Sequence, residues 1–267
     1  MPCIVCPLCR LALERQASSW TCPQGHSFDV AREGYVNLLA VQHKHSREPG
    51  DNPGMVQARR AFLDAGHYAP LRQAALALLA PLRASALLDL GCGEGYYTSA
   101  FTAAAPDVTG LDIAKPAIRL AARRYAGITW LVGSNAALPL PDESLAVVTS
   151  LFSHLQVGEM YRVLRPGGHA LVVTPAAPHL HSLREALFDA VREHQPEKFL
   201  AGFGPGFELR RNDELRFPLK LQQPALRQLL LMTPYAWKAR PERRAALEAR
   251  QALATEAAFS LMLFRRK

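Results

Sequence analysis

Cysteine is scarce in this chain and unevenly spread. There are five in 267 residues, and all but Cys92 fall within the first 22. No signal peptide precedes them, which argues against an oxidising compartment where a disulfide pair would persist and points to the cytoplasm. Apolar runs long enough to span a membrane are absent, so no membrane partner is expected. Acidic residues are outnumbered, 23 against 31 Lys and Arg, for a net charge of +8. No internal repeat is present, and the length suits one large or two unequal domains.

A basic excess of this size fits a polyanionic partner, although a solvated surface explains each cluster taken singly. The clusters are small and dispersed: His43-Lys44-His45-Ser46-Arg47, Arg59-Arg60, Arg123-Arg124, Arg210-Arg211, Arg243-Arg244 and Arg265-Arg266-Lys267. Their sum favours nucleic acid more than any one of them does.

The N-terminal cysteines are spaced as metal ligands. Cys6-Pro-Leu-Cys9 grips an ion from one tight turn, and Cys22-Pro-Gln-Gly-His26 returns a second pair after a short hairpin, with Trp20-Thr21 as the returning strand. Pro7 and Pro23 stiffen the turns, and Gly25 bends the chain back toward the ion. Cys3 shares the spacing of Cys6 and Cys9, but Cys6 and Cys9 frame a full turn facing Cys22 and His26. With three thiolates and one imidazole, a tetrahedral Zn²⁺ has no position left for water, so the site reads as structural. The alternative is a set of small buried side chains or a disulfide pair.

Residues 1–36 form this module, and 37–54, without periodicity, read as a linker. From 55 to 267 strands and helices alternate, as in a parallel sheet covered on both faces. Expected strands are Ala86–Leu90, Val108–Leu111, Thr129–Val132, Leu145–Ser150, His169–Thr174, Arg216–Leu221 and Ala258–Phe264. Expected helices are 55–63, 70–82, 96–105, 182–194, 225–232 and 241–254, with a loop or lid at 195–214.

The first of these strands runs straight into Gly91-Cys92-Gly93-Glu94-Gly95. Alternate glycines let backbone approach a bound nucleoside. The spacing is neither the dinucleotide pattern nor a P-loop, so a pyrophosphate ligand is not the first expectation. Asp112 ends the second strand, where a carboxylate accepts hydrogen bonds from both ribose hydroxyls and repels a ribose phosphate. Glu94 reads as a loop residue and Cys92 as a small buried filler.

Gly133-Ser134-Asn135 ends the third strand, and Arg162-Val-Leu-Arg-Pro-Gly-Gly168 introduces the fifth. With the glycine loop and Asp112, these resemble a class I S-adenosylmethionine-dependent methyltransferase. The likeness sharpens in Phe28-Asp-Val-Ala-Arg-Glu-Gly-Tyr-Val-Asn-Leu-Leu39, Val41-Gln-His-Lys44, Asp51, Ala58-Arg-Arg-Ala-Phe-Leu-Asp-Ala-Gly-His-Tyr68, Asp89-Leu-Gly-Cys-Gly-Glu-Gly-Tyr-Tyr-Thr98 and Met232-Thr-Pro-Tyr-Ala-Trp237. Together with the metal module, the chain resembles the RlmA family of large-subunit (23S) ribosomal RNA (guanine-N1)-methyltransferases.

That resemblance implies an α/β, Rossmann-like fold with a seven-stranded, mostly parallel sheet and a small N-terminal zinc-binding domain. It implies zinc on Cys6, Cys9, Cys22 and His26, and S-adenosylmethionine on Tyr68, Asp89, Gly91, Gly93, Glu94, Gly95, Asp112, Ser134, Asn135 and His179. It implies methylation of guanine N1 in a 23S hairpin loop by a homodimer. Where the family shows an aromatic or Phe-Ser followed by Pro, this chain reads Ser150-Leu-Phe-Ser-His154, which leaves the choice of guanine open. Guanine N1 carries a proton that has to leave; the sequence does not identify the base, and His154 reads either as a candidate for it or as a histidine packed at a strand end. Phe152, Tyr235 and Trp237 are candidate stacking partners for an extruded base, or else core residues. The module is expected to serve RNA recognition, so removing zinc should spare cofactor affinity. Two rivals are a small-molecule methyltransferase with a structural zinc and a non-catalytic RNA-binding module.

Overall fold

The computed structural model describes residues 3–40 and 49–267. The basic stretch 43–47, the Val41–Lys44 motif and the middle of the expected linker, 41–48, lie outside the described residues. The N-terminal module holds a three-stranded antiparallel sheet of β1 (Glu14–Arg15), β2 (Ser19–Thr21) and β3 (Ser27–Asp29), in the order β1-β2-β3. Next come β4 (Val36–Asn37), α1 (Pro53–Asp64), α2 (Ala69–Leu79), β5 (Ala86–Leu90), α3 (Thr98–Phe101), β6 (Asp107–Asp112), α4 (Lys115–Arg124) and β7 (Thr129–Val132). The chain continues with β8 (Leu145–Leu151), α5 (Val157–Val163), β9 (Leu164–Pro175), α6 (His181–Leu187), α7 (Glu197–Phe203), β10 (Phe207–Gln222), α8 (Gln223–Met232), α9 (Tyr235–Lys238), α10 (Pro241–Glu248) and β11 (Ala252–Arg266).

The large sheet has eight strands in the order β10-β11-β9-β8-β5-β6-β7-β4. Seven are those expected. The eighth, β4, is a correction: it leaves the N-terminal module and pairs in parallel with β7, Val36 opposite Leu131. Asn37, expected in a linker, therefore lies in the sheet, and Pro53 and Gly54 already belong to α1. The Asn52 side chain caps that helix by accepting from the Met55 amide at 3.0 Å, and Pro53 takes a position where no amide is needed. Only β11 runs antiparallel to its sheet-mates, paired with β9 on one side and β10 on the other.

Strand alternation sorts the core onto two faces. Leu87, Val147, Leu171, Val173, Phe259 and Leu261 meet α2, α6 and α8 on the first. Ala86, Leu88, Leu90, Leu131, Val148 and Val172 point to the second. There the cover comes from α5 and α7 and, over β7 and its exit loop, from Ile4, Leu13 and Trp20 of the N-terminal module. No helix lies between β7 and β8; the loop 133–144 makes that crossing. The module is also clasped to α4, where Glu33 accepts from Arg119 at 2.7 Å and Arg123 at 2.9 Å.

Several expected helices are shorter. The 96–105 segment is helical only over α3, and 182–194 only over α6. Residues 195–214 contain α7 and the start of β10 instead of one open loop, and β11 begins at Ala252, inside the expected last helix. Pairing along a 15-residue strand outweighed the helix propensity of Ala252 and Ala254. Among the described residues no helix is long and apolar enough to cross a membrane.

Candidate functional site

Cys6, Cys9, Cys22 and His26 converge, and their ligand atoms all lie within 4.8 Å of one another. Cys9 Sγ to Cys22 Sγ is 3.6 Å, while Cys6 and Cys22 Sγ stand 3.5 and 3.4 Å from His26 Nδ1. A tetrahedron with arms of about 2.3 Å to sulfur has edges near this length, so the donor set fits zinc. Cys3 is exposed and outside the group. The first knuckle closes through Cys6 N–H to Leu11 O at 2.8 Å and Arg10 N–H to Cys6 O at 2.9 Å, with Arg10 in the left-handed region at φ 64°.

At the C-terminal ends of β5, β6, β7 and β8 lies a cavity of about 530 Å³, within the ordinary range for small-molecule sites. Asp89, Gly91, Cys92, Gly93, Glu94, Asp112, Ser134, Asn135 and His154 line it. Its floor is the glycine loop, pinned by Gly91 N–H to Leu111 O at 2.8 Å and Gly93 N–H to Asp112 Oδ2 at 2.8 Å. The other Asp112 oxygen accepts from Ala114 N–H at 2.7 Å. Burial pushes the Asp112 carboxyl up; those two amides and the Arg59 charge pull it back. Beneath the loop, Asp89 accepts from Thr98 Oγ1 at 2.6 Å and Thr149 Oγ1 at 2.7 Å, and burial raises it to about 6 against those bonds. Burial also raises Glu94 and the Cys92 thiol. Cys92 packs toward Gly110, as a small filler would.

The glycines have different tasks. A Cβ on Gly93, at φ +56°, would meet only Arg59 Nη1 at 3.8 Å, in the open cavity. One on Gly95, at φ +87°, would come within 2.7 Å of Trp130 Cη2. Gly95, expected at the ligand, is not among the residues lining the cavity; its open side faces Trp130, so it lets the loop pack on β7. Tyr68 and His179 are likewise absent from the lining. Both are buried around Phe259, with ring centroids 5.1 Å and 4.7 Å from it. His179 Nδ1 accepts from Ala258 N–H at 3.2 Å, and burial drives the ring down to about 3, so it is neutral.

The segment after β8 forms the opposite wall. Phe152 sits at φ 60°, a strained position for a bulky side chain; the residue is 44% exposed, lines the cavity, and has its ring 5.4 Å from that of Phe259. His154 is exposed at the lining, and its carbonyl accepts from Asn135 Nδ2 at 3.1 Å. Tyr235 and Trp237 do not line the cavity. The Tyr235 hydroxyl is engaged with His194 Nε2 at 2.8 Å, and Trp237 lies on the surface under Arg244. Asp51 and Arg59, ion-paired to each other, do line it. Both stood in the sequence motifs without a role, because only the path of α1 and of the segment just before it brings them there.

The N-terminal model of the RlmA family, a zinc ribbon, matches residues 4–47, and a general methyltransferase-domain model matches 87–168. The chain is 37% identical over 246 residues to the 23S rRNA (guanine(748)-N(1))-methyltransferase of Streptomyces fradiae, covering 89% of this chain and 86% of that one. The chain belongs to the RlmA family of 23S rRNA (guanine-N1)-methyltransferases. A second relative, from Micromonospora griseorubida and described provisionally in the same terms, is 35% identical over 92% of this chain and 90% of its own. A solved Bacillus halodurans structure, provisionally described as a methyltransferase, shares the fold at TM-score 0.52 and 20% identity, over 72% of this chain and 97% of that one. This RlmA-family chain therefore uses S-adenosylmethionine as its methyl donor, and the Cys₃His group is the donor set for its structural zinc.

Proposed function

We propose that this chain methylates N1 of a guanine in a hairpin loop of 23S ribosomal RNA, as a homodimer in the cytoplasm. The observation that carries the reading is the union, in one chain, of this cavity with the Cys₃His knuckle, in a protein 37% identical to a 23S guanine-N1 enzyme. The rival readings have no observation of that kind behind them. Residues 1–36 serve as the RNA-recognising module and 55–267 as the catalytic body.

Gly91, Gly93 and Glu94 hold the methionine portion of the cofactor, Asp112 its ribose, and Ser134 and Asn135 its adenine side. Asp89 braces the loop from below. Tyr68 and His179 back the wall through Phe259. Bound S-adenosylmethionine supplies an electrophilic methyl group. The protein's own tasks are to hold guanine N1 in line with that methyl, to exclude water and to receive the N1 proton. Phe152 offers its exposed ring to an extruded base, which needs a stacking surface in place of its lost neighbours. His154, beside it at the cavity mouth, is the proposed proton acceptor.

The test is transfer of tritiated methyl to ribosomal RNA from cells lacking the modification, with the labelled nucleotide mapped and the protein's mass measured by sedimentation. Label at guanine N1 of a 23S hairpin is expected. Label appearing only in a small metabolite, or cofactor binding without turnover, would overturn the reading.

A further inference from the structure

We infer that the zinc knuckle positions the adenine-side wall of the cofactor cavity, with Arg10 as the positioning residue. The inference rests on the cavity being the cofactor site and goes beyond the RNA-recognition role given to the module. It begins with a deficiency in the β7–β8 connection. Leu138-Pro139-Leu140-Pro141 contains two residues without N–H groups and no helix, so it cannot pair its carbonyls internally. Those carbonyls need donors from elsewhere, and the N-terminal module supplies three.

Val5 N–H donates to Pro139 O at 3.0 Å. The Arg10 guanidinium spans the neighbouring pair, Nη1 to Leu138 O at 2.8 Å and Nη2 to Leu140 O at 3.0 Å. The catalytic body adds a second guanidinium on the same two oxygens: Arg162 donates to Leu138 O at 3.0 Å and Leu140 O at 2.8 Å. Glu159 completes the clamp, accepting from Leu138 N–H at 2.7 Å and from Arg162. Just upstream of this clamped run, Ser134, Asn135 and Ala136 line the cavity.

Arg10 is placed by the metal site. It follows Cys9 directly, and its amide closes the Cys6 turn with the backbone in the left-handed region. A zinc ion holding Cys6 and Cys9 therefore fixes where Arg10 projects. Without the ion the knuckle relaxes, Leu138 and Leu140 keep only the Arg162 half of their clamp, and the Ser134–Ala136 wall loosens. This opposes the expectation from sequence that cofactor affinity is indifferent to zinc. A Lys at position 10 is a point donor and does not bridge two carbonyls as a guanidinium fork does.

Titration calorimetry with S-adenosylhomocysteine on the full chain tests the coupling, with zinc content measured on each sample. Arg10→Ala should retain one zinc per chain and bind about fivefold more weakly than wild type, at the lower end of couplings between distinct sites. Arg10→Lys should recover only part of the loss. Chelation should weaken wild type by a similar factor and add little to Arg10→Ala, the non-additivity expected of one shared route. Zinc-loaded Arg10→Ala binding as tightly as wild type would overturn the inference, and that comparison decides even if the metal-free chain unfolds. Equal weakening of wild type and variant on chelation would overturn it too. Wild type failing to bind S-adenosylhomocysteine would instead refute the cofactor site itself.

Discussion

Replacing Gly93 and Gly95 by alanine separates ligand approach from packing within one loop. Both residues have positive φ, +56° and +87°. Each alanine variant therefore carries a left-handed backbone cost of roughly 1–2 kcal/mol. At Gly93 that is nearly the whole cost to folding, because the new methyl meets only Arg59 Nη1, 3.8 Å away. The methyl stands in the cavity, however, and cofactor affinity should fall at least about tenfold, or about 1.4 kcal/mol. At Gly95 the methyl would lie 2.7 Å from Trp130 Cη2 and 3.1 Å from Tyr125 Cδ2, and Trp130 is buried. Overpacking adds about 1–3 kcal/mol, for a total near 2–5 kcal/mol, a large share of the roughly 5–15 kcal/mol that holds a domain together. Urea unfolding and calorimetry with S-adenosylhomocysteine read the two effects separately. Gly93→Ala should be the more stable and the weaker binder, and Gly95→Ala the reverse in its folded fraction. If Gly93→Ala bound like wild type, or Gly95→Ala matched its stability, the division of labour would be wrong.

The acid limb of stability should follow His179, which is buried, and His194, which is half-buried. His179 is depressed from an ordinary value of 6.5 to about 3 by burial, and His194 to about 4. Each contributes stability that is complete above pH 6.5 and lost as pH falls toward its folded value, with an upper bound of about 5 kcal/mol for His179. Asp89, raised to about 6, has the opposite sign: its contribution is full below its unfolded value of 3.8 and lost as pH rises through 6. His179→Gln should therefore flatten the loss of stability between pH 6.5 and 4 in unfolding measurements, and an unchanged slope would show that the ring is not held neutral. His154→Ala should slow single-turnover methylation about tenfold or more, as removal of a proton acceptor does, and full-rate methylation would remove His154 from the chemistry.

The metal ligands were legible because four chelating side chains at fixed spacings admit few other uses. The glycine loop and Asp112 were legible because a strand leading into alternate glycines, followed by a strand ending in an acid, dictates a local geometry. Gly95 looked like its neighbours in sequence, and only the position of Trp130 on β7 shows that it serves packing. Arg59 reaches the cavity on α1 and Asp51 on the segment just before that helix, a path that no local pattern encodes. Tyr68 and His179 belong to motifs rich in functional residues, yet the burial of Phe259 between them and the cavity depends on β11. That strand in turn was half hidden under the helix propensity of Ala252 and Ala254.

The two residues of β4 also bear on how the chain is made. Val36 is synthesised long before its partner Leu131, and long-range pairing must wait for both ends. The four metal ligands are all present once His26 is made, but the core cluster that holds Ile4, Leu13 and Trp20 is complete only when Leu131, Leu138 and Leu140 follow. Until then an apolar face is held open on the growing chain, and its burial is a late event of assembly rather than an early one.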